Sequence, residues 1–208
     1  MRKHYLFTGF GSSGSKFLAH LFNKSEHVVS YHEHCQSWQD VNVCNEFYTH
    51  HAFTSLLANK TYIDVNTHMR EIAADVRLLE LKNTEMVKIL ILRDWREILM
   101  SWFAAQRLNG RWWEAVEAAI PAMTDLIENS KCQIVYFKKF TTDLQYLQNL
   151  CYQVGAYDVV VTKDMISKKV NEHNRGRILK YNDIPIDVRN RFDVLTQAFN
   201  EKYILCKE

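Results

Sequence analysis

Short apolar runs alternate with amphipathic segments along the 208-residue chain. Runs of strand length lie at residues 3–8, 27–31, 61–65, 86–92 and 133–137. In the segments between them, apolar residues recur every three or four positions, which is typical of helices. Such segments lie from residue 17 onward and at 68–81, 95–106, 111–129, 141–154 and 185–203, whereas 36–58 is less regular with some helix. The pattern therefore predicts strands that alternate with helices.

This alternation predicts one α/β domain that spans residues 1–208, because the chain has no internal repeat, low-complexity segment or linker. The run at 86–92 is apolar on both faces, as expected of a strand inside a parallel sheet. Gly155 is expected to end one helix, and Pro185 lies in the first turn of the last one. We expect three layers, α/β/α, around a central and mainly parallel sheet.

Glycine and proline are scarce in this chain. It has six Gly and two Pro, where average usage would give roughly fifteen and ten. With 47% hydrophobic and 24% charged residues, this composition favours a globular, helix-rich protein and excludes collagen-like, low-complexity and many-turned β-sandwich folds. Three of the six glycines, Gly9, Gly11 and Gly14, fall within six residues.

Charge and cysteine content narrow the class of protein further. The chain has 26 basic and 24 acidic residues, a net charge of +2, which is too balanced for binding nucleic acid through bulk electrostatics. Its five cysteines are widely spaced without a CxxC motif, which predicts free thiols in a reducing compartment. No signal peptide and no apolar run of roughly 20 residues is present, so we expect a cytoplasmic protein without a membrane span.

The glycine-rich segment 9–16, Gly-Phe-Gly-Ser-Ser-Gly-Ser-Lys, lies between the first predicted strand and the first predicted helix. Glycines let a backbone approach an anion closely, and a helix N-terminus contributes amide donors and positive dipole. The hydroxyls of Ser12, Ser13 and Ser15 add donors. Lys16 adds a positive charge. The segment therefore predicts an anion-binding loop, with a ligand-free glycine-rich turn as the alternative.

The spacing of this loop departs from the nucleotide-binding P-loop pattern GxxxxGK[ST]. Gly9 and Gly14 are correctly spaced, but Lys16 comes one position late. Phe17 follows where a Ser or Thr would hold Mg²⁺. A P-loop-like sheet is still expected, but ATP is disfavoured as the ligand, and a nucleoside or small-molecule kinase is kept as an alternative.

A second motif, at residues 90–103, favours a different ligand. Residues 90–103, Leu-Ile-Leu-Arg-Asp-Trp-Arg-Glu-Ile-Leu-Met-Ser-Trp-Phe, resemble the 3′-phosphate-binding segment of sulfotransferases that use 3′-phosphoadenylyl sulfate (PAPS). That family has a strand, then Arg-Asp-Pro-Arg-Asp, apolar residues, a Ser and an aromatic. Segment 9–16 resembles the family's first loop, Gly-x-x-[Arg/Lys]-Ser-Gly-Thr-[Ser/Thr], although Ser12 replaces its basic residue and Trp95 replaces the proline of the second motif.

The resemblance, which touches most of the first 150 residues, implies a PAPS-dependent sulfotransferase. Such an enzyme transfers a sulfuryl group to a hydroxyl or amine of a small-molecule or carbohydrate acceptor, releases PAP and requires no metal. A non-catalytic nucleotide-binding protein of the same fold is the other alternative. The residues implied to bind the nucleotide are Gly11, Ser12, Ser13, Gly14, Ser15, Lys16, Phe17, Arg93, Ser101 and Arg175.

The 3′-phosphate is assigned to two of these residues. A fork-shaped guanidinium at Arg93 and a hydroxyl at Ser101 suit a phosphate dianion. Alternatively, Arg93 pairs with Asp94 or Glu97, and Ser101 is a helix-surface serine. Asp94 is expected to cap the helix that follows. Arg175 belongs to a basic stretch that is implied to close over the nucleotide, and a solvated loop is its alternative.

Catalysis of sulfuryl transfer needs a base for the acceptor proton and donors for the leaving phosphate. Ligands of such sheets bind at the carboxyl ends of strands, where His32, Glu33 and His34 follow the second strand. The resemblance implies a base here, and we predict Glu33 first and His32 second. Lys16 is expected to stabilise the leaving group.

Two other interpretations of this polar cluster remain open. Its histidines, with Cys35, His50 and His51 further along, could bind zinc, although the spacing fits no strong zinc pattern. The strand-end residues could also have no chemical role. The aromatic pair Trp112 and Trp113 could line an acceptor cleft, but such pairs are more often part of a core.

Overall fold

The computed structural model describes residues 3–11, 14–35, 40–67, 86–104, 110–130, 132–167 and 180–205. Its strands are His4–Gly9 (β1), Val28–His32 (β2), Thr61–Asn66 (β3), Met86–Leu92 (β4) and Gln133–Tyr136 (β5). Its α-helices are Ser15–Phe22 (α1), Val41–Leu57 (α2), Trp95–Ala104 (α3), Gly110–Asn129 (α4), Phe137–Thr142 (α5), Leu144–Gln153 (α6), Lys163–Ser167 (α7) and Ile186–Tyr203 (α8). A 3₁₀ turn covers Tyr181–Asp183.

The five strands form one sheet in the order β2-β3-β1-β4-β5. All four neighbouring pairs are parallel. In the register of the sheet, Phe7 on β1 lies opposite Val65 on β3 and Ile89 on β4. The predicted parallel α/β sheet is therefore confirmed, and β4 is an interior strand as its apolar sequence indicates.

Apolar side chains cover both faces of this sheet and create the three layers. On β1, Tyr5 and Phe7 belong to one cluster, which includes Phe22 of α1. Leu6, which points to the other face, belongs to a second cluster with Trp102 of α3. Trp112 is 2% exposed and packs in this second cluster, so it is a core residue.

Three helix boundaries agree with their sequence signals. The Asp94 carboxylate accepts a hydrogen bond from the Arg96 amide at 2.8 Å and caps α3, as predicted. Gly155 follows α6 with φ +87°, and the Ala156 amide bonds the Cys151 carbonyl at 2.8 Å, a Schellman arrangement. Helix α8 begins directly after Pro185.

Other boundaries differ from the sequence prediction. Phe137 begins α5 instead of ending the last strand. Asp143 divides the predicted helix 141–154, because its carboxylate caps α6 through the Tyr146 amide at 3.0 Å. Helix α2 is longer and more regular than its sequence indicates, and α7 was not predicted. The predicted helix 68–81 lies outside the described residues, and within the described ranges no helix is long and apolar enough to cross a bilayer.

Candidate active site

Polar side chains meet at the carboxyl edge of β2, β3 and β1, which are adjacent strands. His32 and Glu33 lie at the end of β2, Thr67 directly follows β3, and Ser15 begins α1 after β1. Because parallel strands end at the same edge of a sheet, four residues from distant parts of the chain come together.

The four side chains form a closed ring of contacts. Ser15 Oγ lies 3.1 Å from His32 Nε2 and 3.3 Å from Thr67 Oγ1. The Thr67 hydroxyl donates to Glu33 Oε1 at 3.1 Å, and that oxygen lies 3.9 Å from His32 Nε2. The Glu33 and His32 side chains remain 28% and 32% exposed. Both predicted bases therefore share one partly exposed site with a residue of the phosphate loop.

Thr67 is a member of the site that the sequence did not reveal. The rule that selected Glu33, a polar residue at the carboxyl end of a strand, applies equally to Thr67 after β3. What the sequence does not show is that β3 lies between β1 and β2, which brings Thr67 between Ser15 and Glu33.

The backbone of Glu33 has an uncommon conformation. Its φ is +57°, in the left-handed region that glycine and asparagine tolerate best. The Glu33 amide donates to the Val65 carbonyl at 3.1 Å, which extends the pairing of β2 with β3 by one residue. Such conformations cost roughly 1–3 kcal/mol and concentrate at functional sites. The positive φ of Glu33 is therefore consistent with the hypothesis that this residue has a functional role.

The buried Asp64 on β3 fixes the turn that follows Glu33. Its Oδ1 accepts from the His34 amide at 3.1 Å, and its Oδ2 accepts from the Cys35 amide at 3.3 Å and the Tyr48 hydroxyl at 2.9 Å. Burial raises the pKa of Asp64, although these hydrogen bonds act in the opposite direction. The turn is thereby anchored to an interior strand.

The predicted zinc alternative gains no support from the arrangement of its residues. The His34 ring stacks on Tyr31 with ring centroids 3.9 Å apart and lies 4.4 Å from the His51 ring. Burial lowers the pKa of both imidazoles. Cys35 is buried, and its sulfur lies 3.8 Å from that of Cys44. In the part of the chain that the structure describes, no three of these side chains are placed to hold a metal ion.

The predicted phosphate loop leads directly into α1. Gly14 has φ +86°, and no side chain caps the helix N-terminus. Lys16 is exposed in the first helical turn. At Gly11, a Cβ atom would lie 2.8 Å from Cζ2 of Trp102, so α3 backs the loop closely. Ser12 and Ser13 lie outside the described residues.

Arg93 leaves the carboxyl end of β4 beside the loop. Its Nε donates to Glu97 Oε2 at 2.9 Å, so the ion pair expected as the alternative is present. The guanidinium carbon lies 4.0 Å from the ring centroid of Phe137, and the Arg93 side chain is 18% exposed. Burial lowers the pKa of Arg93, while Glu97 and Asp94 oppose this change.

Ser101 and Phe17, two further residues that were predicted to bind the nucleotide, lie on α3 and α1. Ser101 is partly exposed on α3, next to Trp102, the residue that packs on the loop. Phe17 stacks parallel to Phe140, with ring centroids 6.2 Å apart. Arg175 lies outside the described residues.

Comparison with known proteins identifies the fold. No protein-family model and no curated protein matches the chain. Among solved structures, the sulfotransferase domain of the Synechococcus PCC 7002 olefin synthase matches with a TM-score of 0.56, 13% sequence identity and coverage of 96% of each chain. The chain has a sulfotransferase-like fold. At this identity the comparison concerns the fold alone, so the roles of individual residues depend on the site geometry described above.

Proposed function

We propose that this protein is a sulfotransferase that moves a sulfuryl group from PAPS to a hydroxyl or amine acceptor. The observation that carries the proposal is the arrangement of chemistry along one sheet edge. Glu33, Thr67, the Gly14 loop and Arg93 follow the ends of β2, β3, β1 and β4, which is the order of the strands in the sheet. The residues proposed as the base, the anion-binding loop and the phosphate-binding cation thus follow neighbouring strands.

The charges at this edge suit the two phosphate groups of the donor. The N-terminus of α1, the Ser15 hydroxyl and Lys16 offer positive charge and donors for a phosphate at the loop. Arg93 offers a guanidinium for a second phosphate, with the geometry that phosphate prefers. Bound PAPS would supply the sulfuryl group and a phosphate leaving group. Lys16 and the α1 amides would stabilise the charge that develops on that phosphate.

Glu33 is assigned as the base. In an in-line displacement the acceptor oxygen or nitrogen forms a bond to sulfur while the bond from sulfur to the phosphate oxygen breaks. The acceptor proton passes to the Glu33 carboxylate, whose orientation is maintained by the hydrogen bond from Thr67. His32, in the same ring of contacts, is the second candidate.

Thermal unfolding with added ligands tests the assignment of the donor. PAP and PAPS should each raise the melting temperature, whereas Mg-ATP should do so less. The variant Arg93→Ala should bind PAP about 10- to 150-fold more weakly, since a hydrogen bond to a charged group contributes about 1.5–3 kcal/mol. It should bind AMP, which lacks the 3′-phosphate, as the wild type does.

Arg96→Ala is the matched control. Arg96 lies three residues further along, in the first turn of α3. It is 46% exposed and pairs with Asp193 at 3.1 Å, so its loss should leave PAP binding unchanged. Stabilisation by Mg-ATP but not by PAP would favour a kinase. If PAP binds but no acceptor in a panel of alcohols, phenols, amines and sugars is sulfated, the protein is a nucleotide-binding relative without turnover.

A further inference from the structure

Phe137 lies between the phosphate loop and Arg93. It is the first residue of α5, directly after β5 and therefore beside the end of β4. Its ring centroid lies 4.0 Å from the guanidinium carbon of Arg93. Atoms Cδ2 and Cε2 of the same ring lie 2.8 Å from the point where a Cβ on Gly14 would be. One aromatic ring thus contacts both groups that are assigned to phosphate.

The Phe137 ring is itself held in place by a second aromatic ring. Phe140, 0% exposed, meets it edge to face with ring centroids 5.4 Å apart. Phe140 in turn stacks on Phe17 of α1 at 6.2 Å. Because this row of rings extends to the first turn of α1, the position of Phe137 is linked to that of the loop.

Two contacts of different chemistry restrict the Arg93 guanidinium. Glu97 Oε2 accepts from its Nε at 2.9 Å, and its guanidinium carbon lies over the Phe137 ring, 4.0 Å from the centroid. A free arginine side chain has many rotamers, so a phosphate that captures it must order it first. A guanidinium already held at one nitrogen and against a ring is ordered before the phosphate arrives.

We propose that Phe137 is a positioning residue that holds the Arg93 guanidinium beside the phosphate loop for the 3′-phosphate of the donor. This inference rests on the proposed function, because it requires Arg93 to bind that phosphate. Phe137 does not contact the reacting atoms in this proposal. It acts through Arg93.

The test compares the dissociation constants of PAP and AMP, measured by titration calorimetry on the full chain. The two nucleotides differ only in the 3′-phosphate, so the ratio of their constants reports the recognition of that group. In Phe137→Leu, PAP affinity should fall about 3- to 10-fold, the range expected when one rotamer-rich side chain must be ordered on binding, and AMP affinity should stay within 2-fold of wild type. Phe137→Tyr, which keeps the ring, should retain the wild-type ratio.

Phe137→Met provides a second non-aromatic variant if the leucine variant fails to fold, because methionine adapts to irregular spaces. An unchanged ratio in a folded non-aromatic variant, with PAP bound by wild type, overturns the inference alone. An equal loss of PAP and AMP affinity also overturns it, because Phe137 then shapes the loop without acting on Arg93. Failure of the wild type to bind PAP overturns the proposed function, and this inference with it.

Discussion

Replacing Gly14 by alanine tests how closely Phe137 confines the phosphate loop. The substitution has two costs. At φ +86° an alanine pays roughly 1–2 kcal/mol for the left-handed backbone. Its Cβ would also lie 2.8 Å from two ring carbons of Phe137 and 3.1 Å from Cζ of Phe140, whereas carbon atoms in ordinary contact are about 3.5–4.0 Å apart.

The Phe137 ring must therefore move by several tenths of an ångström, and overpacking of this kind costs about 1–3 kcal/mol. Together the two terms predict a loss of about 2–5 kcal/mol in the free energy of unfolding. Gly155→Ala is the matched control, because its φ of +87° carries the same backbone cost. Its Cβ would lie 3.0 Å from one atom, the Thr61 hydroxyl oxygen, which must give by only a few tenths of an ångström, so about 1–2 kcal/mol is expected.

Urea unfolding followed by circular dichroism measures these free energies, and a double-mutant cycle with Phe137→Ala isolates the contact. Without the ring, the cost of Gly14→Ala should fall toward the backbone term of about 1–2 kcal/mol. The interaction free energy of the two substitutions should therefore be about 0.5–3 kcal/mol, the range found for residues in contact. If Gly14→Ala costs the same with and without Phe137, the ring does not confine the loop, and the reasoning is wrong.

Three further predictions concern the site and its support. Glu33→Gln should bind PAP normally in calorimetry but lose about 10²- to 10⁴-fold in sulfate transfer, and full activity would remove Glu33 from the role of base. Asp64→Asn should lower the free energy of unfolding by about 1–3 kcal/mol, because one amide N–H₂ must face hydrogen-bond donors. Since the pKa of Asp64 is raised in the native state, its contribution is complete below about pH 4 and declines as pH rises toward the raised value. Urea unfolding across this pH range should therefore show that the free energy of unfolding of the wild type exceeds that of Asp64→Asn by an amount that decreases as the pH rises. A difference that does not change with pH would contradict this prediction. Asn200→Ala should lower the free energy of unfolding by about 1–3 kcal/mol in the same assay. The reason is that the Asn200 side chain accepts a hydrogen bond from the Trp95 amide at 3.1 Å and donates one to Asp94 at 3.0 Å. An unchanged stability would mean that α3 does not need this link.

The sequence determined the layers of this protein by itself. Apolar residues form continuous runs in strands that are buried on both faces, and they recur every three or four positions in helices that are buried on one face. All five strands could be predicted from this difference. The glycine spacing predicts an anion-binding loop, and the resemblance of residues 90–103 adds Arg93 as a phosphate ligand; both roles stay predictions. Only some helix could be predicted within residues 36–58, where the structure has the 17-residue helix α2, because its apolar residues lie on all sides, with Phe53 and Leu57 exposed.

Only the tertiary structure decided which of these residues meet. Thr67 reaches Glu33 and Ser15 because β3 lies between β2 and β1, and Phe137 reaches Arg93 because β5 lies beside β4. Hydrophobic periodicity indicates which faces of a segment are buried. It does not indicate strand order, because each strand here would have the same buried faces at another position in the sheet. The order of the strands is set by the packing of the whole chain, and the composition of the site follows from that order.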